Sequence, residues 1–125
     1  MSYLLDTHTL LWWLDNNPTL SSSARKVIAN PNNLILVSAV SAWEISIKKA
    51  IGKLEAPSDL SSAMKHNRFE PLPISIQNGL EAGALPNYHN DPFDRMLIAQ
   101  ALSHKLTIIT RDDQFEQYNV SWLSA

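Results

Sequence analysis

The stretch Leu34-Ile35-Leu36-Val37-Ser38-Ala39-Val40-Ser41-Ala42-Trp43-Glu44-Ile45-Ser46-Ile47-Lys48-Lys49-Ala50-Ile51-Gly52 holds one strand followed directly by one helix. Leu34 to Val37 is a short, unbroken apolar run, the pattern of a buried strand. It follows the turn cluster Asn30-Pro31-Asn32-Asn33. Ser38 stands where a helix N-cap belongs, the helix runs to about Ile51, and Gly52 marks its stop. Short apolar runs alternating with helical patterns are the signature of an α/β domain with a mainly parallel sheet.

The alternation continues on both sides. Upstream, Tyr3-Leu4-Leu5 reads as a first strand, His8 to Asp15 as a helix stopped by Asn16-Asn17-Pro18, and Ser22 to Ala29 as a second helix. Downstream, Leu60 to Asn67 is expected to be helical. Glu70 to Ile74 is a short extended stretch whose two prolines place it at a sheet edge. Ile76 to Ala84 reads as a helix, and the loop Leu85 to Asn90 leads into a helix from Asp91 to about His104. Leu106-Thr107-Ile108-Ile109 is the clearest late strand, and Asn119 to Leu123 allows one more.

With 125 residues and no linker or repeat, residues 1–125 are expected to form a single domain with one real core. The absence of cysteine excludes disulfides, thiolate zinc sites and cysteine nucleophiles. No apolar run approaches the roughly 18 residues that span a membrane. The start, Met1-Ser2-Tyr3-Leu4-Leu5-Asp6, lacks a basic region before its apolar residues. The expected location is therefore the cytoplasm. A net charge of -2 is unlike the basic footprint of most nucleic-acid binders, although divalent ions or a basic partner chain would change that balance.

The acids fall where a core should be. Glu44 lies four residues after Val40 and three before Ile47, inside a stripe that continues to Ile51. Asp94 shares a helix face with Leu97, Ile98 and Ala101. Asp6 directly follows the first strand, and Asp112 follows the late one. In open parallel sheets that rim, at the carboxyl ends of the strands, is where ligands bind. If the four converge they repel, by on the order of 4 kcal/mol for two charges about 4 Å apart at an effective dielectric near 20. A domain has only about 5–15 kcal/mol of stability in all. Such a cluster takes up protons or binds hard cations, with Mg²⁺ or Mn²⁺ the expected occupant.

Taken singly, each acid has a structural reading. Glu44 fits a capping box in Ser41-Ala42-Trp43-Glu44 and also an i,i+4 pair with Lys48. Asp94 fits a first-turn helix acid. Asp6 fits a cap for the helix near His8, and Asp112 and Asp113 fit turn acids. Asp91 reads as an N-cap with Pro92 at the first helical position. His8 and His89 lie beside the acid motifs as candidate substrate contacts, whereas His66 and His104 read as surface residues. Trp12, Trp13 and Trp43 read as core or interface anchors, and Lys48, Lys49 and Lys53 as a solvated helix face.

Leu4-Leu5-Asp6-Thr7, Ser41-Ala42-Trp43-Glu44-Ile45, Asp91-Pro92-Phe93-Asp94-Arg95-Met96-Leu97-Ile98-Ala99 and Ile109-Thr110-Arg111-Asp112 together resemble PIN-domain proteins, and more narrowly the VapC toxins of type II toxin–antitoxin modules. The resemblance runs over essentially the whole chain. It implies a three-layer α/β/α sandwich around a short, mainly parallel sheet. It also implies a Mg²⁺- or Mn²⁺-dependent endoribonuclease hydrolysing RNA phosphodiesters, with Asp6, Glu44, Asp94 and Asp112 as catalytic and metal-binding acids. The family's T-x-D pattern selects Asp112 over Asp113 through Thr110-Arg111-Asp112. Asp6 and Asp94 are the first choices for direct ligands. Glu44 and Asp112 would hold a second metal or orient and deprotonate water. Thr7, His8 and Thr110 are the expected substrate contacts. A homodimer is implied, as is a neutralising antitoxin from a separate gene whose tail enters the acidic cleft. Many relatives carry Asn or Ser where this chain has His8.

Other classes compete: an inactive PIN-like module that docks a basic peptide, a phosphatase using Asp6 as nucleophile, and a DNA nuclease on a related fold. The haloacid-dehalogenase pattern needs a second Asp two residues after the first, where this chain has His8.

Overall fold

The computed structural model describes residues 1–125. The elements run β1 (Ser2–Leu5), α1 (Thr7–Leu14), α2 (Ser22–Ala29), β2 (Leu34–Ser38), α3 (Ala39–Ala50), α4 (Leu60–His66), β3 (Glu70–Leu72), α5 (Ile76–Ala84), α6 (Pro92–His104), β4 (Thr107–Thr110) and β5 (Trp122–Ser124). A short 3-10 helix, Asp113–Tyr118, joins β4 to β5. The five strands form one sheet in the order β3-β2-β1-β4-β5, and every pairing is parallel. The Pro71-containing strand is an edge, where a missing N–H removes no central ladder bond.

Alternation along the strands divides the core into two layers. Tyr3, Leu5, Ile35, Val37 and Ile109 pack with Leu10 and Leu11 of α1 and Ala24 and Ile28 of α2. Leu4, Leu36, Leu72 and Ile108 face the other way, against Leu97, Ile98 and Ala101 of α6 and Phe115 and Tyr118 of the 3-10 helix. The result is the α/β/α sandwich, with a sheet that is wholly parallel. α3 crosses the carboxyl end of the sheet, giving Ile45 to the first layer and Val40 to the second.

One expectation about α3 is corrected. Ile47 and Ile51 are exposed (37% and 61%), and the buried face is Val40, Ser41, Glu44 and Ile45. The helix carries isoleucines on two faces, and only the one turned to the sheet is covered. Trp43 is also exposed and rests edge-on against Phe93. Trp12 and Trp13 are half-buried against the first core layer. His66 and His104 are exposed.

The chain builds β1, β2 and β3 outward on one side, then returns to place β4 and β5 on the other. The order therefore reverses between β1 and β4. In an open parallel sheet this reversal leaves a crevice beyond the carboxyl ends of the two strands. Asp6 and Asp112 follow those two ends.

Candidate active site

The crevice is a hollow of about 270 Å³ lined by Asp6, Thr7, His8, Glu44, Lys48, Asp91, Asp94 and Asp112, with no apolar residue among them. The four acids singled out in the sequence thus border one space. Three of the five lining carboxylates also cap helices, so the structural and functional readings coexist. Asp6 Oδ1 accepts from Thr9 N of α1 at 2.9 Å. Asp91 Oδ1 accepts from Phe93 N and Asp94 N of α6 at 2.8 and 3.3 Å. Asp112 Oδ1 accepts from Gln114 N at 3.0 Å. Helix N-termini converge on the hollow, and their dipoles favour negative charge there.

Asp6 is buried, and its second oxygen accepts the Thr110 hydroxyl at 2.6 Å. Burial holds its carboxyl above the usual range, while the bonds from Thr110 and Thr9 pull it down. The Thr110 hydroxyl in turn accepts from Asp112 N at 3.1 Å, tying the ends of β1 and β4 together. Glu44, 4% exposed, accepts from the Thr7 hydroxyl at 2.6 Å through Oε1 and pairs with Lys48 through Oε2. This bond raises the Lys48 ammonium above its ordinary value, with the carboxylates of Asp91 and Asp94 adding to it. The cap of α3 is Ser38, which accepts from Val40 N, so Glu44 belongs to no capping box.

Asp94 stands in the first turn of α6. Burial, and then the neighbouring Asp91 carboxylate, push its carboxyl up to about 7; His89 opposes the rise, and Asp6 and Glu44 add to it. His89 Nε2 lies 3.1 Å from Asp94 Oδ2 and 3.1 Å from Asp112 Oδ2.

Two of the expected substrate contacts have their hydroxyls engaged within the protein. Thr110 is fully buried and Thr7 nearly so, with both hydroxyls committed to carboxylates. Both orient acids, and Thr7 also lines the hollow. His8 is exposed on the rim. His89, Lys48 and Asp91 are lining or bridging groups that sequence reasoning left outside the acid set. The signals were His89's place just before the Asp-Pro-Phe-Asp motif, Asp91's place as its first residue, and the i,i+4 spacing of Lys48 from Glu44. A larger groove of about 460 Å³, lined by Leu11, Trp12, Leu14, Leu54 and Pro57 among others, adjoins the hollow through His8.

The family model for the PIN domain matches residues 3–120. The chain is a PIN-domain protein. This PIN-domain chain is 30% identical over 123 residues to Ribonuclease VapC22 of Mycobacterium tuberculosis, covering 92% of this chain and 90% of that protein. Its fold is similar to that of VapBC2 from Rickettsia felis bound to a promoter DNA fragment, with a TM-score of 0.72, 18% identity and 98% of each chain covered. It is also similar to DNA-bound VapBC from Salmonella typhimurium, with a TM-score of 0.72 and 20% identity over 98% of this chain and 97% of that one. No helix of the PIN-domain protein is long and apolar enough to cross a membrane.

Proposed function

We propose that this PIN-domain protein is a Mg²⁺- or Mn²⁺-dependent endoribonuclease and the toxin of a type II toxin–antitoxin pair. The observation that carries the reading is the hollow itself: five carboxylates around a space with no apolar lining, two of them held above their ordinary range. Oxygen donors of this kind fit a hard divalent cation. Asp6, Asp94 and Asp112 would hold it, with Glu44 beside them. A bound divalent ion supplies positive charge against the scissile phosphodiester and eases deprotonation of water.

The chain's own residues orient and restrain. Thr110 and Thr9 fix the Asp6 carboxylate, Thr7 fixes Glu44, and Asp91 closes the first turn of α6 so that Asp94 faces the hollow. Lys48 brings a cation to the rim, where a phosphate oxygen is its natural partner once Glu44 is engaged elsewhere. His8 stands between hollow and groove, within reach of a strand that crosses both.

The antitoxin reading draws on the structural neighbours, which include a toxin–antitoxin complex from Klebsiella pneumoniae and a member of the VapBC family of toxin–antitoxin systems from Mycobacterium tuberculosis. It also draws on the chain's acidity, which suits a basic tail entering the same hollow. The homodimer is part of the proposal. Ile76 and Leu80, 86% and 66% exposed and one turn apart on α5, are apolar surface available for it. Sedimentation equilibrium giving twice the chain mass is its check.

The decisive experiment is cleavage of RNA and single-stranded DNA, with and without EDTA, by wild type and Asp6→Asn. Metal-dependent RNA cleavage confined to the wild type is expected. RNA left intact by the wild type under every metal condition would favour a non-catalytic docking module instead.

A further inference from the structure

His89 sits among carboxylates that look ready for a metal, and its Nε2, Asp94 and Asp112 together have the make-up of a three-ligand site. The hydrogen bonds of the ring argue otherwise. Nδ1 of His89 accepts the backbone N–H of Asp91 at 3.1 Å. A peptide N–H can only donate, so Nδ1 presents a lone pair and the neutral ring carries its proton on Nε2. That proton is donated to Oδ2 of Asp112 at 3.1 Å, and Oδ2 of Asp94 stands at the same 3.1 Å as an ion-pair contact. A histidine that ligates a metal shows the opposite pattern: its far nitrogen donates to a carbonyl or carboxylate, which leaves the near nitrogen free to bind.

The loop holds the ring in this pose. The backbone N–H of His89 donates to the Tyr118 hydroxyl at 2.8 Å, and that hydroxyl donates to Pro86 O at 2.9 Å. Arg95 donates to the carbonyls of Pro86, His89, Ala82 and Leu85 at 3.0, 3.2, 2.9 and 2.9 Å, drawing the turn before α6 onto the helix. The ring edge lies against Phe115. Rotating the imidazole to expose a bare Nε2 would leave Asp91 N without its acceptor.

We infer that His89 is a positioning residue of fixed tautomer, whose Nε2–H donates to Asp112 with Asp94 in contact beside it so that the ring sets the spacing of the two acids, and that it is not a metal ligand. The inference rests on the metal-dependent reading of the hollow but fails separately from it. Asp94 and Asp112 come from different elements, α6 and the turn after β4, and no other side chain joins them directly.

The test combines two spectroscopic readouts with one titration. In metal-free protein, long-range proton–nitrogen NMR of the His89 ring is expected to show the proton on Nε2; a proton on Nδ1 would overturn the inference. In Mn²⁺-loaded wild type, electron spin echo spectra are expected to show no directly bonded nitrogen. A nitrogen coupling that disappears in His89→Gln would overturn it as well. Mn²⁺ titration followed by electron paramagnetic resonance is expected to show His89→Ala weakened by at least about tenfold, the scale for outer partners of metal ligands. His89→Gln, which keeps a side-chain N–H donor, should stay within about threefold of wild type. Equal affinity in the alanine variant sinks the positioning role. Should that variant fail to fold, the wild-type ring and the glutamine variant still decide. Wild type that binds no Mn²⁺ while keeping its proton on Nε2 supports the tautomer and defeats the metal reading instead.

Discussion

Replacing Asp94 by Asn removes a charge that the metal-free fold holds at a cost. The Asp94 carboxyl is moved from 3.8 to about 7. At roughly 1.4 kcal/mol per pH unit, this corresponds to about 4 kcal/mol against the ionised form. The folded-state value is raised, so between about pH 4 and pH 7 the native chain keeps a proton that the unfolded chain releases. Stability therefore falls as pH rises through that window and is lowest above it. Asp94→Asn escapes the loss and still offers an oxygen to His89. In EDTA at pH 8 the variant is expected to be more stable than wild type by about 2–4 kcal/mol, the lower figure allowing for solvent screening of a partly exposed side chain. At pH 5, where most of the window lies above, the gain should be less than half as large. Urea unfolding followed by tryptophan fluorescence reads this directly. Saturating Mg²⁺ should close most of the gap, adding about 2.7 kcal/mol to wild type at a hundredfold excess over Kd and little to the variant. A variant no more stable than wild type in EDTA at pH 8, or equally favoured at both pH values, refutes the reasoning.

Thr110→Val removes the donor to Asp6 and the acceptor of Asp112 N. It is expected to cost about 2–3 kcal/mol in urea unfolding and to lower RNA cleavage at least tenfold, on the order of 1.4 kcal/mol of lost positioning, while Thr110→Ser retains most of both. Asp91→Ala deletes the cap of α6 and is expected to cost about 1 kcal/mol by thermal melting. Asp91→Asn keeps the cap and removes a charge beside Asp94, so its Asp94 carboxyl, followed by NMR titration, should move back toward 3.8.

The parallel sheet was legible because its strands are short apolar runs set between helical segments, and Pro71 and Pro73 already excluded a central position for β3. Asp94 was expected on the face of α6 that carries Leu97, Ile98 and Ala101; those three are buried, and Asp94 is half-buried where the helix meets the hollow. Glu44 was found to be inward-facing from the wrong stripe. Val40 was common to both faces of the argument, but Ile47 and Ile51 were not, and periodicity alone cannot tell which isoleucines are covered. What escaped entirely were links between distant residues. Thr110 reaches back to Asp6 once β1 and β4 pair, and His89 meets Asp94 and Asp112 once α6 and the turn after β4 are brought together. No spacing along the chain encodes them.

β1 lies at the centre of the sheet, yet one of its neighbours, β4, is contributed by residues near position 108. Asp6 N donates to Ile109 O, and the Thr9 hydroxyl donates to the same carbonyl. Asp6 therefore waits for the late strand β4 before it is held in place. A nascent chain carries no assembled hollow until synthesis has passed Asp112, and a product truncated ahead of β4 never gains one. On the proposed toxin reading, a host translating this protein would meet its activity in the finished domain alone.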